Sequence, residues 1–527
     1  MATWVPSDAV GRRILCGTEY ATVRYVGDVP PTAGVWLGVE WDDPQRGKHN
    51  GTYEGRQYFK CRHPKGGSFI RPNKANFGVD FLTAVKGQYG LNSDNGRDNT
   101  VVFGKKTVKF VGMDSIAKQQ RQVQLNQLVD ISVRECAVSH AGQEEEISRT
   151  CANMRHINLS KNLITSWETV TAIASQLQHL ETLNVSENKI KFPSAPTSVP
   201  SVFPKLRILA LNQTEITWTE VLLCAPGWPA LEELHLASNN IAVLERPDNV
   251  LQSLKLLDLS YNQLVDGNQL HLIAHLPRLE HLILRNTGLS SIHFPDVGFG
   301  CKTKMFPSLK YLSIKDNKIS QWSSINELDK LPSLRVLQCY NNPLMDTEKN
   351  PETLRQLIIA KISQLEVLNH SQILPADRKG AELDYRKIFG NDWLAAGGNW
   401  NPEKNNPSEE FLAAHPRYPS LCLKYGTPEE GELKSQQPVT LKNQLLTLTI
   451  KCPEKPEQQP VEKKLPESMT VQRVKGLLCR LLKIPVSELK LSYQSSKLEG
   501  KEVELDNNLK PLQFYSIENG DCMLVRW

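Results

Sequence analysis

A chain of 527 residues is too long for one hydrophobic core, so three or four domains are expected. With 40% hydrophobic and 23% charged residues, the composition is that of an ordinary globular protein. No apolar run reaches the roughly eighteen residues of a membrane span, and the net charge is a mild +5. Residues Met1 to Asp8 show no basic-then-apolar signal pattern. Eleven cysteines are scattered from Cys16 to Cys522 with no Cys-x-x-Cys pair, which fits free thiols in the cytoplasm better than a disulfide frame or a zinc site.

Residues 1–110 carry sixteen Lys and Arg against ten Asp and Glu. A basic small module points to an acidic partner: nucleic acid, an anionic membrane or an acidic protein tail. With the motif at Gly47–Gly51, the tail is expected and neither nucleic acid nor membrane is. The stretch is rich in Gly, Val and aromatics, with turn signals every eight to twelve residues, and predicts short strands in a small β-barrel or sandwich. After the strand-like run Val35-Trp36-Leu37-Gly38-Val39-Glu40-Trp41 comes Gly47-Lys48-His49-Asn50-Gly51. Alone, Asn50-Gly51 reads as a hairpin turn. Two glycines bracketing a cation and two hydrogen-bonding side chains also suit a compact anion, above all a peptide's terminal carboxylate, with the glycines admitting its close approach. Order, spacing and identity over Gly34–Glu40, Gly47–Gly51, Tyr58-Phe59-Lys60-Cys61 and Gly67-Ser68-Phe69-Ile70-Arg71-Pro72 resemble a CAP-Gly domain. The resemblance implies a groove for the acidic, aromatic-ended C-terminus of α-tubulin or a similar tail. It assigns Lys48, His49, Asn50 and Gly51 to the loop, Trp36 and Phe69 to the walls, and Arg71 as a basic neighbour. His49 stands where that family more often has Asn.

Residues 111–127 are polar and read as a connecting helix or linker. From Leu128 the pattern Leu-x-x-Leu-x-Leu-x-x-Asn-x-Leu recurs, with starts at Leu128, Met154, Leu180, Leu206, Leu231, Leu254, Leu279, Leu309 and Leu334. This is the period of leucine-rich repeats, expected over 128–389 with a C-terminal cap at Pro351–Lys361 and Leu365–Asn369. Asn162, Asn188, Asn239, Asn262, Asn317 and Asn342 fall on the ladder position, with Cys136, Thr214 and Thr287 substituting. Several positions that should look out from the concave strand face are apolar: Ile208, Leu256, Ile283, Tyr311 and Val336, with Tyr340 close by. A contiguous apolar stripe there predicts a protein-binding face.

Between 390 and 440, Gly, Pro and Asn are dense and periodicity is weak, which predicts a linker. Residues 441–527 read strand, loop, helix, strand and closing strand. The elements are Leu445–Ile450, Val471–Leu482, Leu489–Tyr493, Lys497–Gly500 and Cys522–Trp527. The order resembles a ubiquitin-like β-grasp. No Gly-Gly follows at Trp527, so conjugation is not expected, and Ser492 aligns with an Ile of ubiquitin's binding patch.

No phosphate-binding Gly-x-x-x-x-Gly-Lys-Ser/Thr, Gly-x-Ser-x-Gly elbow or His-Glu-x-x-His occurs; neither enzyme chemistry, a cofactor nor a metal is expected. The expected fold is therefore multidomain: an all-β CAP-Gly barrel, an α/β repeat solenoid and an α+β β-grasp. These three modules in this order resemble the tubulin-folding cofactors. The resemblance implies a cytoplasmic, cytoskeleton-linked chaperone that binds α-tubulin by tail and body. With other cofactors it would assemble the α/β heterodimer, and it could also take that dimer apart. Two alternatives stand beside it: a microtubule-tip adaptor, which usually adds coiled coils or basic Ser-rich arms, and a shuttle to the proteasome.

Overall fold

A computed structural model describes residues 5–89, 100–103, 106–109, 125–195, 202–348, 350–434, 445–494 and 502–527. It divides into two units, Met1–Thr427 and Pro428–Trp527. Among the described residues no helix is long and apolar enough to cross a membrane.

The first unit opens with an antiparallel sheet in the order β1 (Arg13–Cys16), β2 (Glu19–Val29), β3 (Thr32–Trp41), β6 (Gly67–Ile70). Alternation along β3 sends Leu37, Val39 and Trp41 into a core with Ile14, Ala21 and Val23, leaving Trp36, Gly38 and Glu40 on the opposite face. A short hairpin, β4 (Thr52–Tyr53) and β5 (Arg56–Gln57), turns at Glu54 and Gly55, both at positive φ. The hairpin turn is therefore there and not at Asn50-Gly51.

The sequence placed the first boundary at 110, but the barrel gives way to the repeats earlier. Strand β7 (Val79–Asp80) pairs in parallel with Val138–His140, and Asp80 caps α1 (Phe81–Gln88) through the Thr83 amide. Phe81, Leu82 and Val85 of α1 lie in the repeat core with Ile131, Val133 and Ile147. Helix α1 thus closes the N-terminal end of the solenoid, where an apolar end would otherwise meet water. Most of the linker expected at 111–127 lies outside the described residues.

In the solenoid, successive strands pair in register through Asp130, His156, Thr182, Ile208, Glu233, Leu256, His281, Tyr311, Val336 and Val367. The ladder asparagines satisfy the backbone where each coil leaves its strand. Asn239 donates to the Leu211 and Leu236 carbonyls and accepts from the Thr214 amide. At Thr214 a hydroxyl still reaches the Leu211 carbonyl. Each such buried group would cost about 1–3 kcal/mol if left unpaired. The expected cap is present: Pro351–Lys361 is a helix, and Val367–Leu368 ends the parallel run.

The linker expected at 390–440 is overturned for most of its length. Helices Gly390–Ala395, Glu409–Ala414 and Tyr418–Tyr425 extend the cap. Their Trp393, Phe411, Tyr418 and Leu421 form one core with Ala360 and Tyr385. Buried Lys361 donates to Asn326, Tyr385 and the Ala414 carbonyl, tying cap to coil. Helices of six to eight residues show too few turns for periodicity, and the local turn residues have structural uses. Ser408 caps Glu409–Ala414, and a Cβ at Gly398 would sit 2.3 Å from the Trp393 ring.

The second unit is a five-stranded sheet in the order Val461–Pro466, Leu445–Lys451, Cys522–Arg526, Lys490–Gln494, Glu502–Glu504. Helix Val471–Leu482 seats Val471, Val474 and Leu478 in its core. This is the β-grasp order, with first and last strands parallel. Lys497–Gly500 lies outside the described residues.

Candidate functional site

On the outer face of the barrel sheet, Gly38 stands between Tyr25 of β2 and Phe69 of β6. With no side chain at Gly38, the Phe59 ring lies over the strand; a Cβ there would come within 2.4 Å of it. Phe69 is the hub of the resulting groove. Its ring centroid is 5.1 Å from His49, 5.4 Å from Phe59, 5.5 Å from Tyr58, 6.3 Å from Tyr53 and 6.4 Å from Tyr25. Arg56 lies 5.1 Å over Tyr58. Edge-to-face packing of this kind adds about 0.5–1.5 kcal/mol per pair beyond buried area, and it leaves partly exposed faces to receive another ring.

The loop beside it is held by main chain. The Lys48 amide donates to the Gly67 carbonyl at 2.7 Å, and the Gly67 amide to the His49 carbonyl at 2.7 Å. The glycines serve this closeness within the chain, not the approach of a partner. A Cβ on Gly47 would lie 2.1 Å from the Lys65 carbonyl oxygen, and one on Gly51, at φ +96°, 2.0 Å from that of Phe59. Gly51 is thus a support residue; its amide donates to His49 Nδ1 at 3.0 Å. That bond makes Nδ1 an acceptor, so the neutral ring carries its proton on Nε2 and can donate from there. Burial first, and then the Lys48 charge, hold His49 below the usual imidazole pKa. Asn50 accepts from the Thr52 hydroxyl. The Lys48 side chain is exposed and, among the described residues, forms no ion pair. An exposed ammonium, an imidazole N–H and a ring-lined slot make a combination that can take a carboxylate with an aromatic side chain attached.

Trp36 and Arg71 occupy the same sheet face but are bound to each other. The guanidinium lies 3.8 Å over the indole and donates to the Ala33 carbonyl, while the indole donates to Thr32. They extend the groove wall as a pair. Tyr25, Tyr53, Tyr58, Phe59 and Arg56 were missed as site residues. The Tyr58-Phe59 dipeptide was visible in the motif, but only cross-strand register brings Tyr25 to Phe69.

On the solenoid, Leu256, Tyr311 and Val336 share one row of the concave face, with His281 stacked on Tyr311 at 5.4 Å and Val367 continuing it. Glu233 separates Ile208 from this group. Ile283 sits in the neighbouring row beside Ser313, and Tyr340 lies past the last full strand under Lys315, 5.5 Å from its ring. All six are partly exposed.

On the β-grasp, Ser492 is buried. It donates to Glu502 and accepts from Arg526 at 3.0 Å, while Arg526 also pairs with Glu502. The three side chains form one polar network. Among the described residues no cluster of His, Cys, Asp and Glu could hold a metal.

A CAP-Gly domain family model matches residues 10–75, leucine-rich repeat models match 176–191 and 228–395, and a ubiquitin-like domain model matches 445–526. The chain is 62% identical over 524 residues to a tubulin-specific chaperone E of Bos taurus, covering 99% of each chain. It is 61% identical over 530 residues to one of Homo sapiens, covering 100% of each, and 33% identical over 532 residues to one of Drosophila melanogaster, covering 98% of each. Among solved structures, the C-terminal ubiquitin-like domain of mouse tubulin-specific chaperone e matches at 73% identity, over 16% of this chain and 87% of that one, with a TM-score of 0.16.

Proposed function

The chain belongs to the tubulin-specific chaperone E family, and from that premise we propose that it is a cytoplasmic tubulin-folding cofactor that captures α-tubulin at two places. The aromatic groove takes the acidic C-terminal tail, with Lys48 and His49 Nε2–H on the carboxylate and the terminal ring against Phe69. The concave row from Leu256 to Val336 holds the folded body. Two modest sites on one chain raise effective concentration and give tight capture without a single large interface. Acting with other folding cofactors, such a grip would deliver α-tubulin to its β partner. It would also pull the heterodimer apart wherever it favours the lone subunit.

The observation that carries this reading is the Phe69-centred groove beside an exposed Lys48 that forms no ion pair among the described residues. Its test is binding of soluble tubulin, with and without the α-subunit tail, to the intact chain and to Lys48→Ala. Loss of a charge-assisted bond predicts weakening by about 1.5–3 kcal/mol on either change, with little further loss when the two are combined. Equal affinity throughout would refute the tail site.

A further inference from the structure

Two strand positions beyond Gly38, the outer face of β3 changes from aromatic to ionic. Glu40 accepts from Arg24 Nε at 2.8 Å and from the Arg62 amide at 2.7 Å. Both arginines line a cleft of about 760 Å3 where barrel and solenoid meet. Across it, Arg62 pairs with Glu215 at 2.9 Å and Lys189 with Asp42 at 2.8 Å, while Tyr20 donates to the Lys161 carbonyl. These contacts, with the β7 pairing, fix the two walls. The lining holds six cations, Arg12, Arg13, Arg24, Arg62, Lys189 and Lys191, against two carboxylates, Asp8 and Glu215. Arg12 pairs with Asp8, and behind the wall Glu40 pairs with Arg24 and Asp42 with both Arg13 and Lys189, which offsets part of the excess and leaves the cleft positive. Lys191 is exposed and, among the described residues, forms no ion pair.

We infer that this cleft is a second anionic subsite, which takes the acidic stretch of an extended peptide whose C-terminal residue sits in the aromatic groove. The inference rests on the groove being a carboxylate site. Gly38 to Asp42 spans about 13 Å of strand, so roughly four extended peptide residues reach from one to the other. In an extended acidic run every second side chain faces the wall, a spacing that fits a wall where carboxylates interrupt cations. The consequence is specificity: to what the barrel groove reads at the end of the tail, the cleft adds the acidity of residues further upstream.

The test uses the full chain and three fluorescent peptides with one aromatic C-terminus: the last three residues alone, a twelve-residue form with an upstream Glu run, and the same form with Gln throughout that run. At low salt the Glu form is expected to bind about tenfold tighter than the Gln form. Lys191→Glu combined with Arg12→Gln, both at accessible side chains, should reduce that ratio below about threefold and leave the three-residue peptide unchanged. Equal binding of Glu and Gln forms, or a ratio that survives the double variant, would overturn the inference. Displacement of the Glu form by an oligonucleotide of equal charge at the same concentration would also overturn it, in favour of a general polyanion site. Failure of the groove reading appears separately, as a three-residue peptide indifferent to Lys48→Ala and to C-terminal amidation. In that event the amidated Glu form decides the cleft by itself: its loss in the double variant upholds it and its persistence refutes it.

Discussion

Gly38 is flanked by Tyr25 and Phe69, with the Phe59 ring lying over the space its side chain would fill. Adding one methyl at this position brings a carbon to 2.4 Å from Phe59 Cε1, so Gly38→Ala must tilt that ring and the Phe69 edge packed on it. The expected outcome is about tenfold weaker binding of an acidic peptide ending in an aromatic residue, with the chain still folded. Titration calorimetry and a thermal melt on the same variant check both halves. His49 shows the same dependence on neighbours. The sequence left open which ring nitrogen could donate, and the amide of Gly51, two residues on, decides it by occupying Nδ1. Arg71 behaves oppositely: a cation beside the motif looks available to a ligand, yet its guanidinium is engaged on Trp36 and the Ala33 carbonyl.

The extension of the C-terminal cap over residues 390–427 was the part least legible in the sequence, and it contains a titrating group that reports on it. His415 Nδ1 lies 2.5 Å from the Tyr385 hydroxyl, with the Phe389 and Phe411 rings at 4.2 and 4.8 Å. Burial first, and then the Lys361 ammonium, draw its pKa from 6.5 down to about 4. Because the folded value lies below the unfolded one, the unfolded chain takes up the proton more readily between those limits. The stabilisation is therefore complete above pH about 6.5 and is lost as pH falls towards 4, by up to about 3 kcal/mol. Melting of the 1–427 unit across this range should show that slope, and His415→Phe should flatten it. The repeats, by contrast, were fully legible. A leucine every two or three positions recurs in nine repeats, with Asn at the ninth position in six of them, and such a signal survives substitutions such as Thr214.

At the scale of the whole molecule, barrel and solenoid share structure rather than a tether. Helix α1 follows the barrel in sequence yet buries Phe81, Leu82 and Val85 in the repeat core. At about 1.5–3 kcal/mol for each buried apolar side chain, a fragment of residues 90–427 should be less stable than one of residues 76–427 by on the order of 5 kcal/mol. Chemical denaturation of the two fragments measures the difference. The fixed barrel also makes the two proposed contacts with tubulin act together. Replacing Leu256 and Tyr311 with Glu puts charge into the middle of the concave apolar row, and heterodimer dissociation should fall at least tenfold while the affinity for isolated tail peptide stays the same. Unaltered dissociation would remove the concave face from the grip.

The sequence by itself determined three modules, their order and the coil register of the repeats, and it proposed the loop and ring, Lys48, His49 and Phe69, of the candidate site. These depend on local spacing: a strand alternates every two residues, a coil returns after about twenty-five, and a motif of fixed gaps stays recognisable. What only the tertiary structure decided depends on distant parts of the chain meeting. Tyr25, Tyr58 and Phe69 become one groove because antiparallel register and a glycine without a side chain bring three separate segments together. Helix α1 belongs to the repeats because its apolar face has nowhere else to be buried. Residues 390–427 fold because Trp393, Phe411 and Tyr418 find Tyr385 and Ala360 across the cap, a contact that helices too short for periodicity could not announce.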